Sequence, residues 1–543
     1  MANGVKYSTG STPAGCLRKG NMLLAVGQQD YGTSFYSGVN PPAGGYTIYV
    51  NKATSGPSIH CPRTDAELIR LTNQIAGANY TTTSQCFSYL ASQSDKIIVD
   101  LAYPDIATSG LLLKLDSSFT ASYPKTGTTW YDISGNSSNG VIYNGPIWNS
   151  NGYFEFDGID DYVDTNKTFQ FTRDSQFSVC GFINIRDHKS RASAAAGIIG
   201  KGHWYSNSWD VWLSNDNRIY FETNGNSNPN NVHFLYSDPL TIDRWYFFTA
   251  IYENGRKLLY LNHSQYENFD GGVGDFTNNN SVLISRRYDD VYRSLMGYGA
   301  NYSIYDRQLE ETEVFQNYYG GNIALDGLVL SVDGANIVSY PGTGSTWYDM
   351  TQSEYSVTNC NIQKSKNNYY SLWSNGNDAD VASSPILNND YHSVELLLMF
   401  KGSATYPNGY TGSWEQFFGY FSAGSDRSPG VWRFPSARLI HWQYAPGFNG
   451  PNFGKNSAND EFDLNTYYHI VVTKEGGTVK TYINGVLTNT VGASNPKTAG
   501  DSIIRFFDYY SADLMEIQVC RIYERTISQD EVSLNYAAVK NRM

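Results

Sequence analysis

From about residue 110 to its end the chain is built of short runs in which apolar residues alternate with polar ones or follow one another unbroken. Phe177-Ser178-Val179-Cys180-Gly181-Phe182-Ile183 alternates, the period of a strand with one buried face. Val394–Phe400 (VELLLMF) is more continuously apolar, as a strand buried on both faces would be. Trp245-Tyr246-Phe247-Phe248-Thr249 and Tyr467-Tyr468-His469-Ile470-Val471 occupy matching places. Each leads to a glycine turn, at Asn254-Gly255 or Gly476-Gly477, and then to a second strand carrying Tyr260-Leu261-Asn262 or Tyr482-Ile483-Asn484-Gly485. That is hairpin chemistry. The spacing predicts two-sheet sandwiches of roughly 200 residues each. Short helices are predicted over Gln308–Tyr318 and Thr526–Tyr536, and Ser528-x-x-Glu531 has capping-box spacing.

The first hundred residues read differently. Residues 1–20 are rich in Gly, Ser and Thr and predict an arm rather than a core. Gly44–Val50 (GGYTIYV) is a glycine turn feeding an alternating strand. Thr64-x-x-Glu67 predicts a helix start before Leu68, Ile69, Leu71 and Ile75. A second short helix is expected over Ser84–Ser92, and Lys96–Leu101 (KIIVDL) reads as a closing strand. Residues 1–104 are thus expected to form a small α+β domain, linked through Tyr103–Ser109 to the strand-rich remainder.

That remainder contains one text twice. Residues 109–132 read SGLLLKLDSSFTASYPKTGTTWYD and residues 326–349 read DGLVLSVDGANIVSYPGTGSTWYD. About half the aligned positions are identical, at an offset of about 217 residues. Ile304-Tyr305-Asp306-Arg307 is echoed by Ile522-Tyr523-Glu524-Arg525, and Glu313-Val314-x-x-Asn317-Tyr318 by Glu531-Val532-x-x-Asn535-Tyr536. A period this long is a duplicated domain, not a solenoid repeat.

The order of these motifs resembles the laminin-G-like, concanavalin A-like jelly-roll family: Leu-x-Leu-x-x-Asp, SYP-x-TG-x-TWYD, Phe156-Asp157-Gly158-x-Asp160-Asp161-Tyr162-Val163, the aromatic hairpin, and Ile-Tyr-x-Arg with Glu-Val-x-x-Asn-Tyr. The resemblance implies a mainly β fold of two tandem concanavalin A-like jelly-roll sandwiches, over 109–320 and 326–540, behind the α+β N-terminal domain. It further implies carbohydrate or protein recognition. The SYP-x-TG-x-TWYD versions are similar to those on virion structural proteins of tailed bacteriophages, and residues 1–104 resemble N-terminal modules of such proteins. The expected partners are therefore other virion proteins, through residues 1–104, and a host-surface glycan. The chain is expected to form a homo-oligomer in a virion released by lysis. A bacterial lectin-like carbohydrate-binding surface protein is the first alternative, and a polysaccharide hydrolase the second.

Composition narrows the partners. The formal net charge is −13 and charged residues make up only 16% of the chain. No basic stripe exists to neutralise phosphates, so no nucleic-acid partner is expected. No segment has the length and apolarity of a signal peptide core or a membrane span, so no membrane insertion is expected either. Six cysteines (Cys16, Cys61, Cys86, Cys180, Cys360 and Cys520) show no metal-ligand spacing and are expected to be free thiols.

No catalytic residue is assigned. Glu155 and Asp157 would share a strand face, but Ile159 stands where a third acid would continue the row. A glycosidase needs two carboxylates flanking the scissile bond. Asp157, Asp160, Asp161 and Asp164 form an oxygen-rich loop that suits calcium; turn chemistry, with Asp side chains bonding nearby backbone, is the competing reading. Trp204, Trp209 and Trp212 lie in HWYSNSWDVWLSND, and Trp432, Trp442 and Tyr444 lie in VWRFPSARLIHWQYAPGFNG. Both stretches are candidate carbohydrate-binding faces, because a sugar needs a flat apolar ring and nearby amides; core or subunit contact is the rival role. Trp130-Tyr131-Asp132 and Trp347-Tyr348-Asp349 read as a core Trp beside a turn Asp.

Overall fold

The computed structural model describes residues 16–19, 22–25, 48–50, 73, 79–82 and 85 of the first hundred; from 106 onward it describes all but 187–194, 203–206, 225–231, 270–274, 288–292, 354, 368, 375–378, 382–389, 410, 421–429, 444–451, 458, 493–503 and 508–513. The chain divides into two compact units, Met1–Tyr318 and Tyr319–Met543. Near the N-terminus Cys16–Lys19 pairs with Met22–Ala25, which pairs with Ile48–Val50. The expected arm therefore ends in a strand. The helices expected over 64–75 and 84–92 lie, single residues apart, outside the described residues, as does the closing strand 96–101.

The first unit holds two eight-stranded antiparallel sheets. One runs Ser264–Phe269, Arg256–Leu261, Trp245–Glu253, Gln176–Ile185, Met296–Tyr305, Tyr153–Asp157, Ile147–Asn149, with Leu111–Leu115 also paired to Met296–Tyr305. The other runs Val232–Tyr236, Ile219–Asn224, Ser208–Ser214, Ala195–Gly200, Leu283–Ile284, Tyr162–Asp164, Gly140–Tyr143, Thr129–Trp130. Phe177, Val179 and Ile183 of the first sheet and Ile199, Val211 and Phe221 of the second share one buried core. This is a sandwich closed by alternating inward residues.

The second unit repeats that topology. Its first sheet runs Val486–Gly492, Thr478–Ile483, Tyr467–Glu475, Tyr391–Phe400, Met515–Tyr523, Tyr370–Trp373, Ile362–Lys364, with Leu328–Asp333 in the place of Leu111–Leu115. Its second runs Asn452–Phe453, Ile440–Gln443, Gly430–Arg433, Glu415–Tyr420, Ile504–Phe506, Ala379–Val381, Val357–Thr358. The Thr129–Trp130 strand survives as a single bridge, Trp347 to Val357. Helix α1 (Glu311–Tyr319) and helix α2 (Gln529–Val539) come after the last long strands, and Ser528 and Glu531 form a capping box on α2.

The repeated text is explained by what both copies need in order to fold. Trp130 and Trp347 are fully buried. Asp132 Oδ1 accepts from the Lys114 and Ser134 amides at 2.9 and 2.8 Å, and Asp349 Oδ1 accepts from the Ser331 and Thr351 amides at 2.8 and 3.0 Å. Arg307 reaches Glu313 at 2.7 Å and Arg525 reaches Glu531 at 3.0 Å. Asn317 donates to Tyr305 and accepts from the Ala107 amide; Asn535 treats Tyr523 and Ala324 in the same way.

One buried pair has changed character. Cys180 faces Ser303 across the central strands of the first unit, and at the same register in the second Glu395 faces Arg521. Glu395 is also met by His469 at 3.1 Å and by Asn535 at 2.6 Å.

Candidate functional site

The strand Ser208–Ser214 (SWDVWLS) separates the tryptophans that the sequence offers together. Alternation sends residues 209, 211 and 213 to one face and 210, 212 and 214 to the other. Trp209, Val211 and Leu213 belong to the core, where the Trp209 ring centroid is 5.5 Å from that of Phe177. Trp209 is 0% exposed. A ring without an open face cannot carry a sugar, so that candidate is a core residue. Trp442 is corrected in the same way: with Val431, Ile440 and Phe453 it lines the core of the second unit. Trp204 and Tyr444 lie outside the described residues.

Trp212 points away from that core and begins a row of rings. It pairs across the sheet with Tyr220, and Tyr220 with Tyr236. Trp212 and Tyr220 stack at 4.4 Å and 22°, Tyr220 and Tyr236 at 5.1 Å and 27°. Phe234 meets both Trp212 and Tyr220 edge-on. Tyr236 is 50% exposed and Phe234 38%, so the row ends in open apolar surface.

A buried ion cluster fixes the row. Asp210 and Glu222 are directly opposed across the two strands, a repulsive placement. Arg287 resolves it by reaching Asp210 at 2.6 Å and Glu222 at 2.8 Å, and its guanidinium lies 5.0 Å from the Trp212 ring. The Trp is therefore held by a charged group that is itself locked, a preorganised platform.

The second unit places Trp432 at the same register. In the first unit Gly197 opposes Trp212, a bulge intervenes, and Ile199 opposes Val211. In the second, Gln416 opposes Trp432, a bulge intervenes, and Phe418 opposes Val431. Across the sheet His441 takes the place of Tyr220 and Asn452 that of Tyr236. His441 Nδ1 and Asn452 Oδ1 are 3.2 Å apart, and burial lowers the His441 pKa. Trp414, 45% exposed, meets His441 edge-on at 5.0 Å. The amide-rich aromatic character expected of this stretch is thus gathered beside Trp432, not Trp442, but Trp432 is itself buried at 5% exposure and the open ring of the row is Trp414.

The acidic loop comes after the strand Tyr153–Asp157, turning at Gly158 with φ +73°. Carboxylate oxygens of Asp157, Asp160 and Asp161 lie within 4.8 Å of one another. Calcium holds oxygens at about 2.3–2.6 Å, so three such groups could share one ion. Asp164 does not join them; its Oδ1 accepts from the Asn166 amide at 2.7 Å. Turn chemistry is present as well: Asp157 accepts from the Ile159 amide and Asp161 from the Asp157 amide. Burial, reinforced by the charges of Asp157 and Asp160, pushes the Asp161 carboxyl up to about 6. Glu155 is held by Arg186 at 2.8 Å.

A family model described as the concanavalin A-like lectin/glucanases superfamily matches residues 157–315 and 405–533. The chain belongs to this superfamily. The match runs over both ring rows, from Asp157 through Arg287 and from Trp414 past Asn452. No curated protein matches the chain. Among solved structures, a Trypanosoma rangeli sialidase in complex with 2,3-difluorosialic acid is similar at 10% identity and a TM-score of 0.32, with 62% of this chain and 61% of that one covered. The chain thus spans about three fifths of that sialidase's length. The binding domain of botulinum neurotoxin serotype D is similar at 13% identity and a TM-score of 0.34, covering 76% and 97%. The binding domain of Paraclostridial Mosquitocidal Protein 1 is similar at 13% identity and a TM-score of 0.32, covering 75% and 97%. Likenesses this slight do not bear on function.

Sequence reasoning missed Tyr220, Tyr236, Phe234, Arg287, Trp414, His441 and Asn452. Alternation within RIYFET and RLIHWQ was the available signal for Tyr220 and His441. None existed for Arg287, which meets Asp210 across 77 residues.

Proposed function

We propose that this chain is a glycan-binding structural protein of a bacteriophage virion. The two jelly rolls would display it to a host-surface saccharide, and residues 1–104 would attach it to the particle. The observation that carries the binding reading is the Trp kept at one register of one sheet in both units, each at the head of a row of rings and amides. Flat rings beside polar groups suit the C–H faces and hydroxyls of a sugar. The virion reading rests on the likeness of SYP-x-TG-x-TWYD and of the N-terminal segment to such proteins. Binding without turnover is the expected activity: Glu155 is engaged by Arg186, and Asp210 and Glu222 by Arg287.

Glycan-array binding of the full chain tests the first half. Trp212→Ala should weaken the retained glycan by about 2 kcal/mol, roughly thirtyfold, the scale of an interface anchor. Binding unchanged in a Trp212→Ala, Trp432→Ala double variant sinks this reading. Deleting residues 1–104 tests the second half: the truncated protein should keep its glycan but no longer be found in purified particles by mass spectrometry.

A further inference from the structure

The outer face of the same sheet in the first unit carries a second ring cluster. Tyr143 and Tyr162 are opposed partners on neighbouring strands and stack at 4.7 Å and 10°. Their alternating neighbours Ile142 and Val163 belong to the core, so both tyrosines face the side that Trp212 faces. Tyr143 is 37% exposed. The strands Ala195–Gly200 and Leu283–Ile284 lie between this cluster and the strand of Trp212. Three strand spacings of about 4.8 Å put the two clusters roughly 14 Å apart.

Residues 286 and 287 pass between them over Gly197. A Cβ on Gly197 would lie 2.2 Å from the Arg286 carbonyl carbon and 2.4 Å from the Arg287 nitrogen, so only glycine admits this crossing. The two arginines then turn to opposite sides. Arg287 goes to Trp212 and is answered by two carboxylates. Arg286 goes to Tyr162, its guanidinium 4.8 Å from the ring centroid. Among the described residues it forms no ion pair, and its Nε is buried without a hydrogen-bond partner. Of the described acids beside Tyr162, Asp161 accepts from the Asp157 amide and Asp164 from the Asn166 amide, and neither forms an ion pair with Arg286. A half-buried arginine with no ion pair among the described residues, beside an exposed ring, has an open place that a planar anion would fill.

We propose that Tyr143, Tyr162 and Arg286 form a subsite for an acidic sugar, with the pyranose against the exposed tyrosine face and its carboxylate on the Arg286 guanidinium. This rests on the reading of the Trp212 row as a glycan platform and gives that platform a substrate class. A chain laid across the strands would meet both clusters, so the ligand is a stretch of acidic polysaccharide rather than a terminal neutral sugar.

The test uses the full chain on an array of oligosaccharides in matched pairs, each uronic acid beside its carboxyl-reduced neutral counterpart. The acidic member should bind about tenfold more tightly, the worth of one charge-assisted contact. Arg286→Gln should bring the pair to equality, Arg286→Lys should restore part of the preference, and Trp212→Ala should weaken both members alike. Melting temperatures close to wild type keep the comparison fair. A preference that survives Arg286→Gln, or a wild type that binds both members equally while remaining sensitive to Trp212→Ala, overturns the subsite and leaves the platform standing. A wild type that retains no glycan overturns the platform and the subsite with it.

Discussion

Replacing Arg521 by methionine probes a place where the duplicated cores differ in kind. Arg521 is 1% exposed and its guanidinium is bonded to Glu395, itself fully buried. Removing one partner of a buried pair strands the other charge, a loss of about 3–5 kcal/mol. The equivalent positions of the first unit, Cys180 and Ser303, carry no charge, so a Glu395→Cys, Arg521→Ser double variant should cost much less than the single one. Acid supplies an independent reading. The Arg521 charge, with His469 and Asn535, overcomes the burial penalty and holds Glu395 at about 2, below its usual 4.5. A depressed carboxyl contributes stability that is whole above the unfolded value and lost as pH falls through the folded one. The window is therefore pH 4.5 down to about 2, and the shift is worth roughly 3 kcal/mol at about 1.36 kcal/mol per unit. Hydrogen exchange read on peptides from Tyr391–Phe400 and Met515–Tyr523 against those from Gln176–Ile185 and Met296–Tyr305 assigns the loss to a unit. Protection should fall first in the second unit as pH drops below 4.5, and the double variant should erase the difference. Equal acid sensitivity of the two units, or a double variant as costly as Arg521→Met, would refute the reasoning.

Trp209→Ala should destabilise the first unit by about 3–5 kcal/mol in chemical denaturation, whereas Trp212→Ala should cost far less, because only the former empties a core site. Cys180 and Cys360, whose thiols burial raises to about 11 and about 12, should resist a thiol reagent at pH 8 until denaturant is added; fast native labelling would contradict their burial. Millimolar calcium should raise the melting temperature at pH 7 if Asp157, Asp160 and Asp161 hold it. The effect should fade as pH falls through about 6, where Asp161 takes a proton; an unmoved transition leaves the loop to turn chemistry alone.

Much of the architecture is legible because duplication marks it. Trp130, Asp132, Arg307 and Asn317 and their counterparts recur in the text, and each carries a contact that a jelly roll of this topology reuses. The candidate site is only half legible. SWDVWLS contains the alternation that separates Trp209 from Trp212, and the apolar Val211 and Leu213 tell which side is core. Taken as a composition, the same stretch hides that division. Tyr162 closes the Phe-Asp-Gly-x-Asp-Asp-Tyr motif while Tyr143 lies in an unremarked segment, and only pairing between strands makes them a cluster. The Arg287 cluster joins residues 65 and 77 positions apart, and no local period records it. The strand in residues 1–20 is not legible in the sequence because Gly, Ser and Thr around Cys16–Lys19 mask a four-residue run.

What the copies keep beyond folding is the better guide to function, and it predicts an order. Ala196 opposes Leu213 where Glu415 opposes Arg433; such core pairs have been exchanged whole, apolar for ionic, so neither member tells of a ligand. Trp212 and Trp432 face outward and have stayed tryptophan while the residue opposite each changed from Gly197 to Gln416. That change has a consequence. Glycine leaves the Trp212 ring partly exposed, whereas Trp432, beside a long amide, is only 5% exposed and the open ring of its row is Trp414. A ring gives binding energy through the face that a ligand can reach, so Trp212→Ala should weaken glycan binding more than Trp432→Ala does. Titration of each single variant, with intrinsic Trp fluorescence as the signal, checks it. If Trp432→Ala were the more damaging, the ligand would lie against the Trp414 side of the second unit, and the first unit's row would be a surface held for packing alone.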